Sequence, residues 1–166
     1  SGPRGGEMNA RPHAGSAAPL GATIREEGVN FSLFSRGGTG VDLLFFDRVD
    51  DARPARVIRL DPVTNRTYHY WHAFVPAVKP GQIYAYRVAG PLDPSSGMRF
   101  DSSKVLLDPY GRGVVVPKNY SREAARSDVG DRQSAAGPCH GGGDILCGAI
   151  AISAGRGVLL SLPTGL

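Results

Sequence analysis

The stretch TYHYWHAFVPAVKPGQIYAYRVA, residues 67–89, decides the fold. Its first part reads as a long strand over residues 67–75, stopped by Pro76, which has no N–H to give to a ladder. Side chains alternate across a strand, so Trp71, Ala73 and Val75 share one face, and Tyr68, Tyr70, His72 and Phe74 share the other. Both faces carry large groups, yet only one can be the core. The face of Trp71, Ala73 and Val75 is assigned to it. Lys79-Pro80-Gly81 puts Pro and Gly where a turn uses them, and residues 83–89 resume as a strand. Two strands joined by a turn, with no helix between, set an antiparallel pattern.

Upstream the pattern repeats. Residues 22–25 form a short strand closed by the Glu26-Glu27-Gly28 turn, and residues 29–33 alternate so that Val29, Phe31 and Leu33 share a face. Residues 41–46 become apolar on both faces, as a central strand does, and residues 56–60 place Ile58 and Leu60 on one side. Turns at intervals of roughly 8–12 residues, without helices between the strands, indicate an all-β, immunoglobulin-like antiparallel β-sandwich. One helical signal follows the last core strand. Asp101 can N-cap a turn or two through residues 102–107 before Pro109 stops it.

Three zones separate by composition. Residues 1–18 are Gly, Ala, Pro and Arg with almost no large apolar side chain, and read as a disordered leader in which Met8 is a candidate start. Residues 19–120 form the sandwich and hold all 13 aromatic residues. Residues 121–166 read as a linker and a Gly/Ala-rich tail with no assigned domain; within it, residues 145–152 could form a strand for which no partner pattern is visible.

The net charge of +4 and pI near 9.3 raise the question of nucleic acid. Of the 19 basic residues 16 are Arg, spread from Arg4 to Arg156 with carboxylates between them and no basic stripe, so no nucleic-acid partner is expected. The 166 residues are too few for a (β/α)₈ barrel, which needs about 250. No apolar run approaches the ~20 residues that span a bilayer, and no signal peptide follows Met8, so no membrane partner is expected and the cytoplasm is the default location. Cys139, His140 and Cys147 lack a zinc spacing. His69 and His72, three apart on a strand, face opposite sides. Neither group is expected to hold a metal, and no cofactor is expected. Gly141-Gly142-Gly143-Asp144 lacks the Gly-Lys-[Ser/Thr] that grips phosphate.

Six ordered blocks carry a resemblance. They are Pro19-Leu20-Gly21-Ala22-Thr23; Gly28 through Ser35; Val41 through Asp47; Tyr70-Trp71-His72; Val78 through Pro91; and, after Asp93-Pro94, Gly97 and Arg99-Phe100, the run Lys104 through Tyr110. Residues 19–120 resemble the N-terminal domain of isoamylase-type bacterial glycogen debranching enzymes of glycoside hydrolase family 13, a β-sandwich of carbohydrate-binding-module family 48. The resemblance implies a parent enzyme that hydrolyses α-1,6-glucosidic branch linkages in glycogen through a barrel with a carboxylate nucleophile and a second carboxyl group as acid/base. Nothing here matches that pair, so no catalytic residue is assigned and the chain is expected to be inactive alone, as a debranching enzyme cut before its barrel. The face that would pack on the barrel is then expected to be exposed and to favour association.

Sugar-binding modules stack aromatic rings on glucose units, which makes Trp71, Tyr68, Tyr70, Tyr84 and Tyr86 the aromatic candidates, of which Trp71, Tyr84 and Tyr86 are taken as the candidate carbohydrate-binding residues. The resemblance weighs against them. Glycogen-binding members carry a Lys between the two aromatics where this chain has Ala85, and a Trp in the loop where it has residues 47–51. An interdomain scaffold is therefore expected, with α-glucan met weakly or through the barrel; a stand-alone glucan-binding or protein-interaction module is the alternative. The resemblance stops near Ser127-Asp128. Two origins fit the tail beyond it: an out-of-frame reading of GC-rich DNA, whose codons give mainly Gly, Ala, Arg and Pro, or a genuine divergent tail.

Overall fold

A computed structural model describes residues 11–51, 53–111 and 150–151. The strands are β1 Gly21–Arg25, β2 Gly28–Phe34, β3 Gly40–Phe46, β4 Arg56–Leu60, β5 Arg66–Thr67, β6 Tyr70–Pro76, β7 Ile83–Ala89, β8 Leu92–Asp93, β9 Met98–Arg99 and β10 Ile150–Ala151. One sheet has the order β1-β2-β6-β5, a second β10-β7-β3-β4, and β8-β9 form a small separate ribbon. Every pairing is antiparallel. The architecture is the expected immunoglobulin-like sandwich.

Alternation places the core as read. Val29, Phe31, Leu33, Trp71, Ala73 and Val75 face inward from the first sheet, and meet Val41, Leu43, Phe45, Ile58, Leu60, Tyr84, Tyr86 and Val88 from the second. Phe31 sits at the centre, edge-on to Phe45 at 5.5 Å and to Tyr84 at 4.9 Å between ring centroids. Apart from Trp71, Tyr84 and Tyr86 these are aliphatic or aromatic groups without a polar atom, and their burial supplies the main stabilisation of the fold. The doubly apolar β3 is indeed central: its other face sends Leu44 and Phe46 to a second cluster with Ile83, Ala85 and Val105.

Three details differ from the sequence reading. The long strand expected over 67–75 is two strands, because Tyr68 and His69 form a two-residue turn between β5 and β6. The short helix expected over residues 102–107 does not form; the helical turn among the described residues is the 3₁₀ turn Pro94–Ser96, earlier in the chain and capped by Asp93. At Asp101 the carboxylate instead accepts from the Ser103 backbone N–H at 2.9 Å and closes a turn that propagates no further.

The third difference is the leader. Residues 11–18, read as disordered, lie on the first sheet. His13 pairs with Phe74 through two backbone hydrogen bonds of 2.8 and 3.0 Å. Ser16 and Asn30 exchange two more, at 2.8 and 3.0 Å, while Ser32 donates to the Ala17 carbonyl at 2.7 Å. The cause is the polar outer face of β2 and β6. Asn30, Ser32 and His72 need partners, and a segment of small residues can approach closely enough to supply backbone ones. Residues 150 and 151, left without a partner by the sequence, pair with Tyr84 and Ile83 of β7. The remaining tail, with Cys139, His140 and Cys147, lies outside the described residues.

Candidate functional site

The three aromatic candidates are all inside. Trp71, Tyr84 and Tyr86 are 0%, 0% and 1% exposed, so none presents a ring face on which a sugar could stack. Trp71 takes the Arg66 guanidinium over its ring at 5.1 Å, and its indole N–H has no partner among the described residues. Tyr84 and Tyr86 stand side by side on the inner face of β7, edge to face at 6.0 Å. Burial, reinforced by the Asp108 carboxylate, holds both phenols well above their ordinary range.

The Tyr84 hydroxyl donates to Asp108 at 2.7 Å, and the other Asp108 oxygen accepts from the Tyr110 backbone N–H at 2.9 Å. Burial pushes the Asp108 carboxyl up, and the hydrogen bonds from Tyr110 and Tyr84 only partly offset it. Leu106 pairs with Tyr86 through backbone bonds of 2.9 and 2.7 Å. The block Lys104 through Tyr110 is thus bolted to β7 by its backbone and by one buried carboxylate.

Ala85, at which the resemblance implies a Lys in glycogen-binding members, points to the opposite face. It lies wholly buried with Leu44, Phe46, Ile83 and Val105. That surface is apolar and closed. At the other end of β7 Phe100 packs against the common core: a Cβ on Gly90 would stand 2.5 Å from its ring, so only Gly lets the ring seat there.

Several carboxylates are spent on local backbone. Asp51 accepts from the Arg48 N–H at 2.8 Å, Asp61 from Val63 at 2.7 Å, and Asp93 from Ser95 at 3.2 Å. Asp42 pairs with Arg59 at 3.2 Å. No group of three potential metal ligands occurs among the described residues. No helix among them is long and apolar enough to cross a membrane.

Tyr68 and Tyr70, weighed as aromatic candidates but not taken, lie at the surface or half-buried beside Phe34 and His69. Tyr68 is 77% exposed and Phe34 46%, and with His69 and Tyr70 they form a continuous row of rings at one end of the first sheet. Centroid separations are 3.9 Å for Tyr68–His69, 6.0 Å for His69–Phe34 and 5.3 Å for Phe34–Tyr70. The signal was present: once Trp71, Ala73 and Val75 fill the core, the large groups on the other face of the same stretch must lie outside it.

An all-antiparallel sandwich closed by Lys104–Tyr110 defines a class of accessory domain, and residues 19–111 match carbohydrate-binding module 48, the isoamylase N-terminal domain. The chain belongs to that family. Among curated relatives, a glycogen debranching enzyme of Serratia proteamaculans is 48% identical over 103 residues, covering 62% of this chain and 15% of that protein. A glycogen operon protein GlgX homolog of Mycobacterium tuberculosis is 49% identical over 98 residues, 59% of this chain and 13% of its own. Isoamylase 1, chloroplastic, of Arabidopsis thaliana is 38% identical over 104 residues, 61% of this chain and 13% of its own. The chain therefore spans only about one seventh of the length of these relatives. Among solved structures, GBS pullulanase SAP in complex with maltotetraose shares the fold at a TM-score of 0.51 and 17% identity, over 84% of this chain and 15% of that one.

Proposed function

We propose that this chain is the N-terminal sandwich of an enzyme that hydrolyses α-1,6-glucosidic branch linkages in glycogen, with a structural task of its own: to fold independently and hold the chain that leads onward. The observation that carries the reading is the block Lys104 through Tyr110, which joins β7 by backbone pairing and by the Tyr84–Asp108 bond. A segment fixed on both counts leaves the sandwich at a set place and direction, which is what a scaffold for a following domain requires. Membership of the family and glycogen-debranching relatives near 48% identity support the choice of parent reaction. The enclosed Ala85 face supports scaffold over sugar capture at the position the family uses for it.

The test is a chimera. Residues 19–111 replace the matching part of the Serratia debranching enzyme, and release of linear chains from glycogen is followed beside the same enzyme with that part deleted. Activity restored by the graft supports the reading. A graft that folds but leaves the enzyme as impaired as the deletion refutes it, as does branch hydrolysis by the 166 residues alone.

A further inference from the structure

On the outer face of the second sheet the register sets three charged side chains in a row. Asp42 of β3 stands opposite Arg59 of β4 on one side and opposite Arg87 of β7 on the other. Directly paired residues point to the same face with Cβ atoms about 5 Å apart, so either guanidinium could reach the carboxylate. Arg59 takes it. Its Nε–H donates to Asp42 at 3.2 Å, although the Arg59 side chain is 85% exposed and that of Asp42 16%. Arg87, the less exposed of the two arginines, makes no ion pair among the described residues. Its Nε–H is buried and has no acceptor among them.

The three residues line a cleft of about 560 Å³, within the range that holds small molecules. The register also explains the cleft. Two residues further along the same face the pair is Gly40 and Ala89, which leave the sheet uncovered, while Pro62 and Ser102 stand at the sides. A buried donor on a permanent cation is costly to leave without an acceptor. No described residue supplies one to the Arg87 Nε–H, and the cleft beside it admits one from outside. A guanidinium fork matches a planar oxyanion through two parallel hydrogen bonds. The charge sum then selects among oxyanions. Two arginines against one aspartate leave a single positive charge, which one carboxylate neutralises. A dianion would bring excess negative charge beside Asp42.

We propose that Arg87 binds the carboxylate of a small organic acid in this cleft. Arg59 is a positioning residue: by holding Asp42 it leaves the Arg87 guanidinium to the ligand.

The experiment is a titration of the ¹⁵N-labelled 166-residue chain with butyrate at constant ionic strength, followed at the arginine Nε–H signals. Butyramide is the uncharged control and sulfate the dianion. Butyrate is expected to shift one signal, the one missing from Arg87→Gln, and to saturate in the millimolar range. Butyramide should leave it in place, and sulfate should bind several-fold more weakly. Arg59→Gln, at an exposed position, releases Asp42 toward Arg87 and should weaken butyrate up to about fivefold, the scale of one surface ion pair. Asp42→Asn leaves both arginines unopposed, so butyrate should tighten and sulfate should overtake it. These two variants carry the test even where Arg87→Gln fails to fold. An Arg87 signal that butyrate does not move, or that butyramide moves equally, overturns the proposal. Equal binding of butyrate and sulfate overturns it as well, since that marks an adventitious ion only, and so does an Asp42→Asn chain with the original preference. An amidated triglutamate peptide that binds more tightly than butyrate assigns Arg87 to a protein carboxylate and refutes the small-acid reading. None of these outcomes touches the scaffold reading, which the chimera tests through hydrolysis.

Discussion

Asp108→Ala removes two acceptors at once, and the structure sets the size of the loss. Asp108 is buried and receives the Tyr84 hydroxyl at 2.7 Å and the Tyr110 N–H at 2.9 Å. Without it, the Tyr84 hydroxyl is left in the core with no partner, a penalty of about 1–3 kcal/mol. Release of the Tyr110 N–H, which reaches water more easily, adds about 0.5–1 kcal/mol. The expected destabilisation is about 2–4 kcal/mol, or on the order of 10–20 °C in Tm for a domain of this size. Tyr84→Phe leaves the carboxylate one donor short and is expected to cost about 1.5–3 kcal/mol, the value of a bond to a charged group. The double variant is the decisive one. With both partners gone nothing buried is orphaned, so its cost should fall short of the sum of the singles by about 1–2 kcal/mol. Urea unfolding followed by tryptophan fluorescence reads all four forms, because Trp71 is the only tryptophan and lies in the core. Strict additivity, or an Asp108→Ala cost below about 0.5 kcal/mol, would refute the claim that this pair bolts the exit segment to the sheet.

The same carboxylate gives a pH signature. Its folded pKa is raised above 3.8, so between that value and the raised one the folded state holds more protons than the unfolded chain. Stability contributed by Asp108 therefore falls as pH rises through this window and is level above it; Asp108→Asn should flatten that part of the urea-midpoint profile. Tyr84 and Tyr86, both held well above their ordinary pKa, should stay un-ionised past pH 10 until the sandwich unfolds, so replacing either by Phe leaves the phenolate absorbance of the folded state unchanged. Gly15→Ala should cost about 1–3 kcal/mol in urea unfolding: Gly15 has φ +71°, and a Cβ there would stand 2.6 Å from both Asn30 Oδ1 and the Phe74 N. Ala85→Lys, which supplies the residue that the resemblance implies for glycogen-binding members, should destabilise the fold without retarding the chain in native gels containing glycogen, because it buries an ammonium among Leu44, Phe46 and Val105.

Much of this fold was legible because period-two patterning is local. Val29, Phe31 and Leu33, or Ile58 and Leu60, announce their inner face without knowledge of the rest. Trp71 was legible as core for the same reason, through its neighbours Ala73 and Val75. What failed was what depends on distant partners. Nothing in residues 11–18 marks them as ordered, since their bonds are made by Asn30, Ser32 and Phe74, and the hint lay in those polar strand positions instead. The break at Tyr68 escaped because no Gly, Asn or Asp marks the turn; a strained tyrosine there reads as strand. The aromatic candidates were chosen by residue type, and Tyr84 and Tyr86 alternate in phase with Val88, which puts both on the inner face. Applying the alternation to β7 as it was applied to β6 would have set Tyr84 and Tyr86 inside and left Tyr68 and Tyr70 as the aromatic candidates outside the core.

Each sheet has one side committed to the common core, and the other side is taken up largely by the chain itself. On the first sheet, residues 13–18 pass over Asn30, Ser32 and His72 and satisfy them. On the second, Val105 covers Leu44, Phe46 and Ala85 while Leu106 extends the edge at Tyr86. The flanking segments are therefore structural members, and a fragment trimmed to residues 21–99 would expose the polar row on one side and the apolar cluster on the other. The block Lys104 through Tyr110 thus closes the Ala85 face through Val105 and is held to β7 through Leu106 and Asp108, so core and flank are stabilised together.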